Sequence, residues 1–191
     1  ETCLEAMLAA SAIILAKEGC QEAEALKGCA GEYPDYESIW DLRQKGADIY
    51  DNINGQTPKQ KNFMLEESGN YYVRSSWERD GEYLHFRNGC LGGGHGHNDK
   101  LHLDVVSEGE DVLVDAGRYQ YTYHEENRIW LKSAYAHNTI LVDGQDFMEY
   151  TDAWGSKNAV PELRFAPKEK NGYLVLEGAH TGYLQGGAQV L

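Results

Sequence analysis

Leu91-Gly-Gly-Gly-His95-Gly-His97-Asn-Asp-Lys-Leu-His-Leu-Asp-Val-Val-Ser-Glu-Gly-Glu-Asp-Val-Leu-Val-Asp115-Ala-Gly117 gathers more chemically able side chains than any other stretch of the chain. Glycines before His95 and between the two histidines let the backbone turn sharply and approach a ligand closely. Leu101, Leu103 and Val105 then alternate with His102 and Asp104. A Ser-Glu-Gly-Glu turn and Asp111-Val-Leu-Val-Asp115 follow, which predicts a β-hairpin. The first strand leaves the His95/His97 end and the second returns to it, so a carboxylate, Asp115, comes back near two imidazoles.

Downstream, Ala136-His137-Asn138-Thr-Ile-Leu-Val142 puts another histidine at the mouth of an apolar stretch expected to be a strand. His97, Asp115 and His137 would make a two-histidine, one-carboxylate set, which suits zinc. The competing reading of each histidine is a hydrogen-bonded group at a strand end.

With 191 residues, 41% of them hydrophobic and 25% charged, the chain can bury a core and form one or two domains. It begins at Glu1 and ends at Leu191 straight after a strand-like stretch, and is expected to be part of a longer protein. The apolar run Ala9 to Ala16 is too short to span a bilayer, so no membrane partner is expected. A net charge of -14, from 31 acidic and 17 basic residues, argues against nucleic acid, whose phosphates need clustered Lys and Arg. It also weighs against a heavily sulphated substrate unless a local basic groove overrides the general field. Cys3, Cys20, Cys29 and Cys90 show no CxxC spacing and read as free thiols. They lean toward a reducing compartment such as the cytoplasm, with export left open.

Residues 3 to 29, rich in Ala and Leu and free of proline, predict a helix or helix pair buried on more than one side and stopped by Gly28, Gly31 and Pro34. A second helical stretch is expected from Asp35 to Asn52. From about residue 64 the pattern changes to short strands between Gly, Asn and Asp turns: Tyr71 to Ser75, Tyr83 to Arg87, the hairpin, Asn138 to Val142, Leu163 to Ala166 and Tyr173 to Glu177. Strands without helical spacers predict an antiparallel sandwich. The fold class is therefore α+β, mainly β. The domain boundary lies in the polar, turn-rich stretch around 54 to 64, giving domains 1-56 and 57-191.

Gly93-Gly-His95-Gly-His97-Asn-Asp99, Leu113-Val-Asp115-Ala-Gly117, Ala136-His137-Asn-Thr139 and Val142-Asp-Gly-Gln145 together resemble the heparinase II/III family of polysaccharide lyases, which includes oligoalginate lyases. The resemblance implies the last helices of an (α/α) toroid followed by the first part of an antiparallel β-sandwich, with the active site in the cleft between toroid and sandwich. It implies that His95 is the active-site histidine, and that His97, Asp115 and His137 are zinc ligands. Ala116 departs from the proline that the family often has there, which alters turn stiffness but not ligand chemistry. The family's catalytic tyrosine and its Asn/His carboxylate-binding partner fall in toroid segments that this sequence does not contain, so the chain is expected to be catalytically incomplete.

The implied chemistry is β-elimination on a uronate-containing polysaccharide or oligosaccharide, such as alginate or a glycosaminoglycan. It requires a base for the C5 proton, neutralisation of the carboxylate, and an acid for the oxygen leaving C4. A histidine exchanges protons near neutral pH, which suits His95. Tyr119, Tyr121 and Tyr123 follow Gly117, and Tyr121 and Tyr123 are the catalytic candidates, against the reading that alternate strand tyrosines pack or stack on sugar. Arg118 and Arg128 are the candidates for holding the carboxylate, with Lys132 as added positive charge. The bland reading pairs Arg128 with Glu125 or Glu126. His102 and Asp104 read as solvated strand residues, and His85, His124 and His180 receive no role. Asn98 and Asn138 are placed to orient the histidines they follow. Two rival functions remain: a zinc-dependent hydrolase using an open fourth metal position, and a non-catalytic, metal-stabilised sandwich that binds sugar through Tyr and Trp. Exposed edges of such a sandwich make self-association possible.

Overall fold

The computed structural model describes residues 2–30, 45–91, 94–157 and 160–185. It divides into two compact units, Glu1–Gln60 and Lys61–Leu191.

The first unit is helical. Helix α1 (Thr2–Lys17) and helix α2 (Glu22–Ala30) are followed by helical residues 45–52, here α3. Ala9, Ala12 and Ile13 recur at helical spacing and are fully buried, and Ala30 and Tyr50 join them, with Leu8, Leu26, Ile49 and Ile53 packed around. Met7 and Ile14 stay exposed, so within this unit α1 is buried on one side, not on several. Gly28 does not stop α2. It lies inside the helix, where a Cβ would come 2.1 Å from the Gln56 carbonyl oxygen, and its role is to let the chain at 55–56 approach. The expected helical residues 35 to 44 lie outside the described residues.

The second unit is built on an antiparallel sheet in sequential order, β1 (Phe63–Leu65), β2 (Asn70–Arg74), β3 (Tyr83–Arg87), β4 (His102–Ser107) and β5 (Glu110–Leu113). Two small antiparallel pairs follow: β6 (Glu162–Arg164) with β9 (Gly178–His180), and β7 (Lys168–Lys170) with β8 (Tyr173–Val175). The β4–β5 turn sits at Glu108 and Gly109, both with positive φ (52° and 78°), as a two-residue hairpin turn requires. Side chains alternate across the sheet as a pleat demands. Val73, Leu84, Phe86 and Leu103 line one side of an apolar cavity of about 290 Å³ that Leu174 and Leu176 close. On the other face Tyr72, His85 and Asp104 lie in register across β2, β3 and β4.

Three expectations for this unit are corrected. The strands do have a helical spacer, α4 (Glu125–Lys132), whose inward face carries the buried Arg128 and Lys132 while Trp130 is exposed. Its periodicity is thus the reverse of an ordinary amphipathic helix. Residues 138 to 142 form no strand; a single bridge, Val142 to Gln145, closes a turn at Asp143 and Gly144. Tyr119, Tyr121 and Tyr123 are not strand residues either, since β5 ends at Leu113 and both Tyr119 and Tyr123 have positive φ (65° and 66°). Helix α4 leads into a 3-10 turn, Ala134–Ala136, that delivers His137, and Ala134 belongs to a second core with Phe147, Met148, Val160 and Tyr183. Helix α5 (Gly182–Gln185) ends the described chain. Cys20 and Cys90 are free thiols, and Cys29 and Cys90 lie at the surface. No described helix is long and apolar enough to cross a membrane.

Candidate metal centre and active site

His137, Asp115 and His97 offer three ligand atoms that all lie within 4.8 Å of one another. They arrive from three segments: the end of the 3-10 turn, the chain just beyond β5, and the glycine-rich loop before β4. His137 Nδ1 is 2.9 Å from Asp115 Oδ2, and the His97 and His137 rings are 5.3 Å apart. The trio grades from buried His137 through half-buried His97 to exposed Asp115.

The donors' electrostatics favour the ligating protonation states. The hydrogen bond from His137, helped by the Gly117 N–H, holds the Asp115 carboxyl well below the usual carboxylate range. Burial, reinforced by His137, lowers the His97 pKa and keeps its ring neutral. His137 Nε2 is buried without a hydrogen-bond partner among the described residues, an unsatisfied ring nitrogen that calls for an explanation. Two imidazoles and a carboxylate converging in this way fit a zinc ion with a fourth position left over.

Asn138 builds this geometry. Its side-chain amide donates to the carbonyls of Leu103 and Val114, both at 3.0 Å, which joins β4 to the residue before Asp115. Its backbone N–H donates to His102 Nδ1 at 3.1 Å, so the His102 proton sits on Nε2. That Nε2–H points at Asp104 (2.8 Å) and lies 3.6 Å from Asp115 Oδ2. Asp104 in turn accepts from His85 Nδ1 at 2.9 Å. His102 is therefore 2% exposed and part of a buried polar chain beside the trio, not the solvated strand residue its alternation predicts. A polar residue on the face opposite the leucines reads as solvated unless the covering loop is known, and here that loop is 137–139.

His95 is exposed, shares its loop with His97 and is not a member of the trio. Its ring meets Tyr121 (5.6 Å) and Trp154 (5.5 Å) edge to face, and those two rings stack on each other at 5.8 Å. The Arg118 guanidinium lies 4.0 Å from the Tyr121 centroid, and Arg128 lies 4.2 Å from that of Trp154. Tyr121, Tyr123, Arg128 and Trp154 line a cavity of about 310 Å³. Tyr123 is 85% exposed at its rim. Arg128 is fully buried; it donates to the Ala153 and Gln120 carbonyls and has no ion pair among the described residues, so pairing with Glu125 or Glu126 is not seen. Glu125 instead accepts from the Ala153 N–H at 2.9 Å. Trp154 went unassigned in the sequence because its neighbours, Asp152 to Gly155, read as a turn; Asp152 indeed accepts from the Trp154 and Gly155 N–H groups. Lys132, also buried, donates to the carbonyls of Gly94 and Ala153, and burial beside Arg128 lowers its pKa.

Residues 57–190 match the family model for the heparinase II/III-like C-terminal domain. This chain belongs to the heparinase II/III-like family of polysaccharide lyases. It is 30% identical over 162 residues to an alginate lyase of Stenotrophomonas maltophilia (strain K279a), covering 80% of the chain and 19% of that protein. Over 68 residues it is 35% identical to an exo-oligoalginate lyase of Saccharophagus degradans (strain 2-40 / ATCC 43961 / DSM 17024), covering 31% of the chain and 9% of the relative. The chain thus spans about a fifth or less of the length of these curated relatives. In fold it is similar to a mutant of the heparan sulfate lyase HepC from Pedobacter heparinus (TM-score 0.57, 17% identity, 86% of this chain and 24% of that one). It is similar also to a heparinase III (TM-score 0.52, 17% identity, 78% and 20%). The heparinase II/III-like fold bears out the α+β reading, with toroid helices preceding antiparallel sandwich strands.

Proposed function

We propose that this chain contributes the metal centre and one active-site wall of a lyase that cleaves uronate-containing polysaccharides or oligosaccharides by β-elimination, with zinc held by His97, Asp115 and His137. One observation carries the reading: an exposed imidazole, His95, is wedged against a Tyr121/Trp154 stack on the same loop as His97, one member of a metal-ready trio. A purely structural metal site has no need of that imidazole.

In the elimination, a base takes the C5 proton, its electron pair forms the C4–C5 double bond, and the C4–O bond breaks with a proton delivered to the departing oxygen. His95 donates to the uronate carboxylate and spreads the charge that builds there as the proton leaves. Arg128, buried and with no ion pair among the described residues, and the neighbouring Arg118 make this wall locally positive within an acidic chain. Tyr121 and Trp154, both exposed beside the guanidinium groups, offer an aromatic surface for a sugar, and the Tyr121 hydroxyl is this chain's candidate to protonate the leaving oxygen. Zinc, when bound, supplies a rigid cross-link of the three segments beside His95. The remaining proton-transfer groups come from the toroid, so the 191-residue chain alone is catalytically incomplete.

The test is a lyase assay on the full-length protein with alginate and heparan-type substrates, following the ultraviolet absorbance of the unsaturated product. His95→Ala is expected to lose about 100-fold or more in kcat. New reducing ends without absorbance would point to hydrolysis instead. The exposed Tyr121/Trp154 stack favours one alternative, a sugar-binding module, which would bind these glycans without turnover in the full-length protein.

A further inference from the structure

Lys132 holds both ends of the loop that carries His95 and His97. Its ammonium donates to the Gly94 carbonyl at 3.1 Å, immediately before His95. Its own carbonyl accepts from the Asn98 N–H at 2.7 Å, immediately after His97. The same ammonium donates to the Ala153 carbonyl at 3.0 Å, next to Trp154, and the same carbonyl accepts from the Tyr150 hydroxyl at 2.5 Å. One residue at the C-terminal end of α4 thus ties the histidine loop to the loop bearing the aromatic wall.

The side chain is an expensive choice for a purely structural tie. Lys132 is 2% exposed and forms no ion pair among the described residues, the Asp152 carboxylate acting on it only at longer range, and Arg128 one turn earlier is equally buried and also has no ion pair among the described residues. Burying an ammonium that has no carboxylate within ion-pair distance costs stability that a neutral donor would not. Carbonyl oxygens are its acceptors, and three donors on one nitrogen let it reach two loops at once. Glycines around His95 leave that segment with little conformational preference of its own, so its position has to be imposed from outside.

We infer that Lys132 is a positioning residue: by clamping Gly94 and Ala153 with its side chain and Asn98 with its main chain, it fixes His95 between Tyr121 and Trp154. Only the importance of that position for catalysis rests on the lyase reading; the clamp itself stands or falls separately.

The experiment is NMR on the histidine- and lysine-labelled chain. In the wild type, the His95 ring protons are expected to be displaced from free-histidine shifts by the ring currents of Tyr121 and Trp154, and Lys132 is expected to give a resolved, slowly exchanging ammonium signal. In Lys132→Met, which keeps the stem and removes the donors, the His95 displacement should collapse while His85 and His102 signals stay in place. An unchanged His95 displacement in that variant, with His85 and His102 intact, overturns the proposal. If the variant does not fold, the wild-type ammonium decides: a resolved signal supports the clamp, and fast exchange with water refutes it. Neither readout depends on lyase activity, so failure of the clamp and failure of the lyase reading are separable.

Discussion

His137 Nδ1 and Asp115 Oδ2 meet at 2.9 Å although 22 residues separate them in the chain. The contact closes the hairpin's outgoing end onto the 3-10 turn after α4, and it keeps Asp115 ionised at the point where His97 also converges. Everything proposed for the site depends on that closure.

His102 supports it from behind. With its Nε2–H shared between Asp104 and, at longer range, Asp115, its removal should loosen the ligand carboxylate. His102→Leu is expected to weaken zinc binding about 10-fold or more, the usual effect of removing an outer hydrogen-bonding partner, read by competition with a chromophoric chelator. An affinity equal to wild type in a folded variant would leave His102 with a packing role alone.

Gly28 should reverse the ordinary helix rule. Gly→Ala inside a helix normally stabilises by about 1 kcal/mol. Here the new Cβ would lie 2.1 Å from the Gln56 carbonyl oxygen, so Gly28→Ala should instead destabilise the helical unit by about 1–3 kcal/mol, the range for overpacking. Thermal or urea unfolding of the variant checks the sign.

His180 predicts an acid-side loss of stability. It is 2% exposed between Phe147 and Tyr183, its Nδ1 accepts from the Gly182 N–H, and burial pushes its pKa down to about 4. The unfolded chain binds a proton near pH 6.5, whereas the folded one resists until about 4. The contribution is therefore complete above the unfolded value and is lost as pH falls through that window. Denaturant unfolding at pH 7 and pH 4 should show a loss about 2–3 kcal/mol larger in wild type than in His180→Asn. Equal losses would show that the ring does not stay neutral.

Trp154 should matter for binding more than for turnover. Trp154→Ala in the full-length protein removes half of the ring stack, and KM is expected to rise about 10-fold with a smaller change in kcat, in line with aromatic contacts of about 1 kcal/mol. A variant with unchanged KM would take the sugar platform out of the account.

How much was legible in the sequence follows the periodicities. Strands β2 and β3 and the β4–β5 hairpin announce themselves through alternation and a Glu-Gly turn, and the structure places them within a residue or two of where they were read. The trio was legible because its members flank those strands and belong to the family's motifs. Helix α4 was not, because its buried face is Arg128 and Lys132, which any hydropathy pattern assigns to solvent. The burial of His102 was hidden for the same reason: a loop distant in sequence covers it. The role of Trp154 was invisible because it arises from a stack with Tyr121, 33 positions earlier on the far side of α4.

The metal content of the purified chain tests the central claim most directly. Elemental analysis of wild type, His97→Ala, Asp115→Ala, His137→Ala and His95→Ala, each expressed with zinc supplied, is predicted to find about one zinc per chain in wild type and His95→Ala and little in the other three. Correctly folded protein without zinc in any of the five would contradict the metal centre and leave the 2.9 Å contact between His137 and Asp115 as an ordinary buried hydrogen bond.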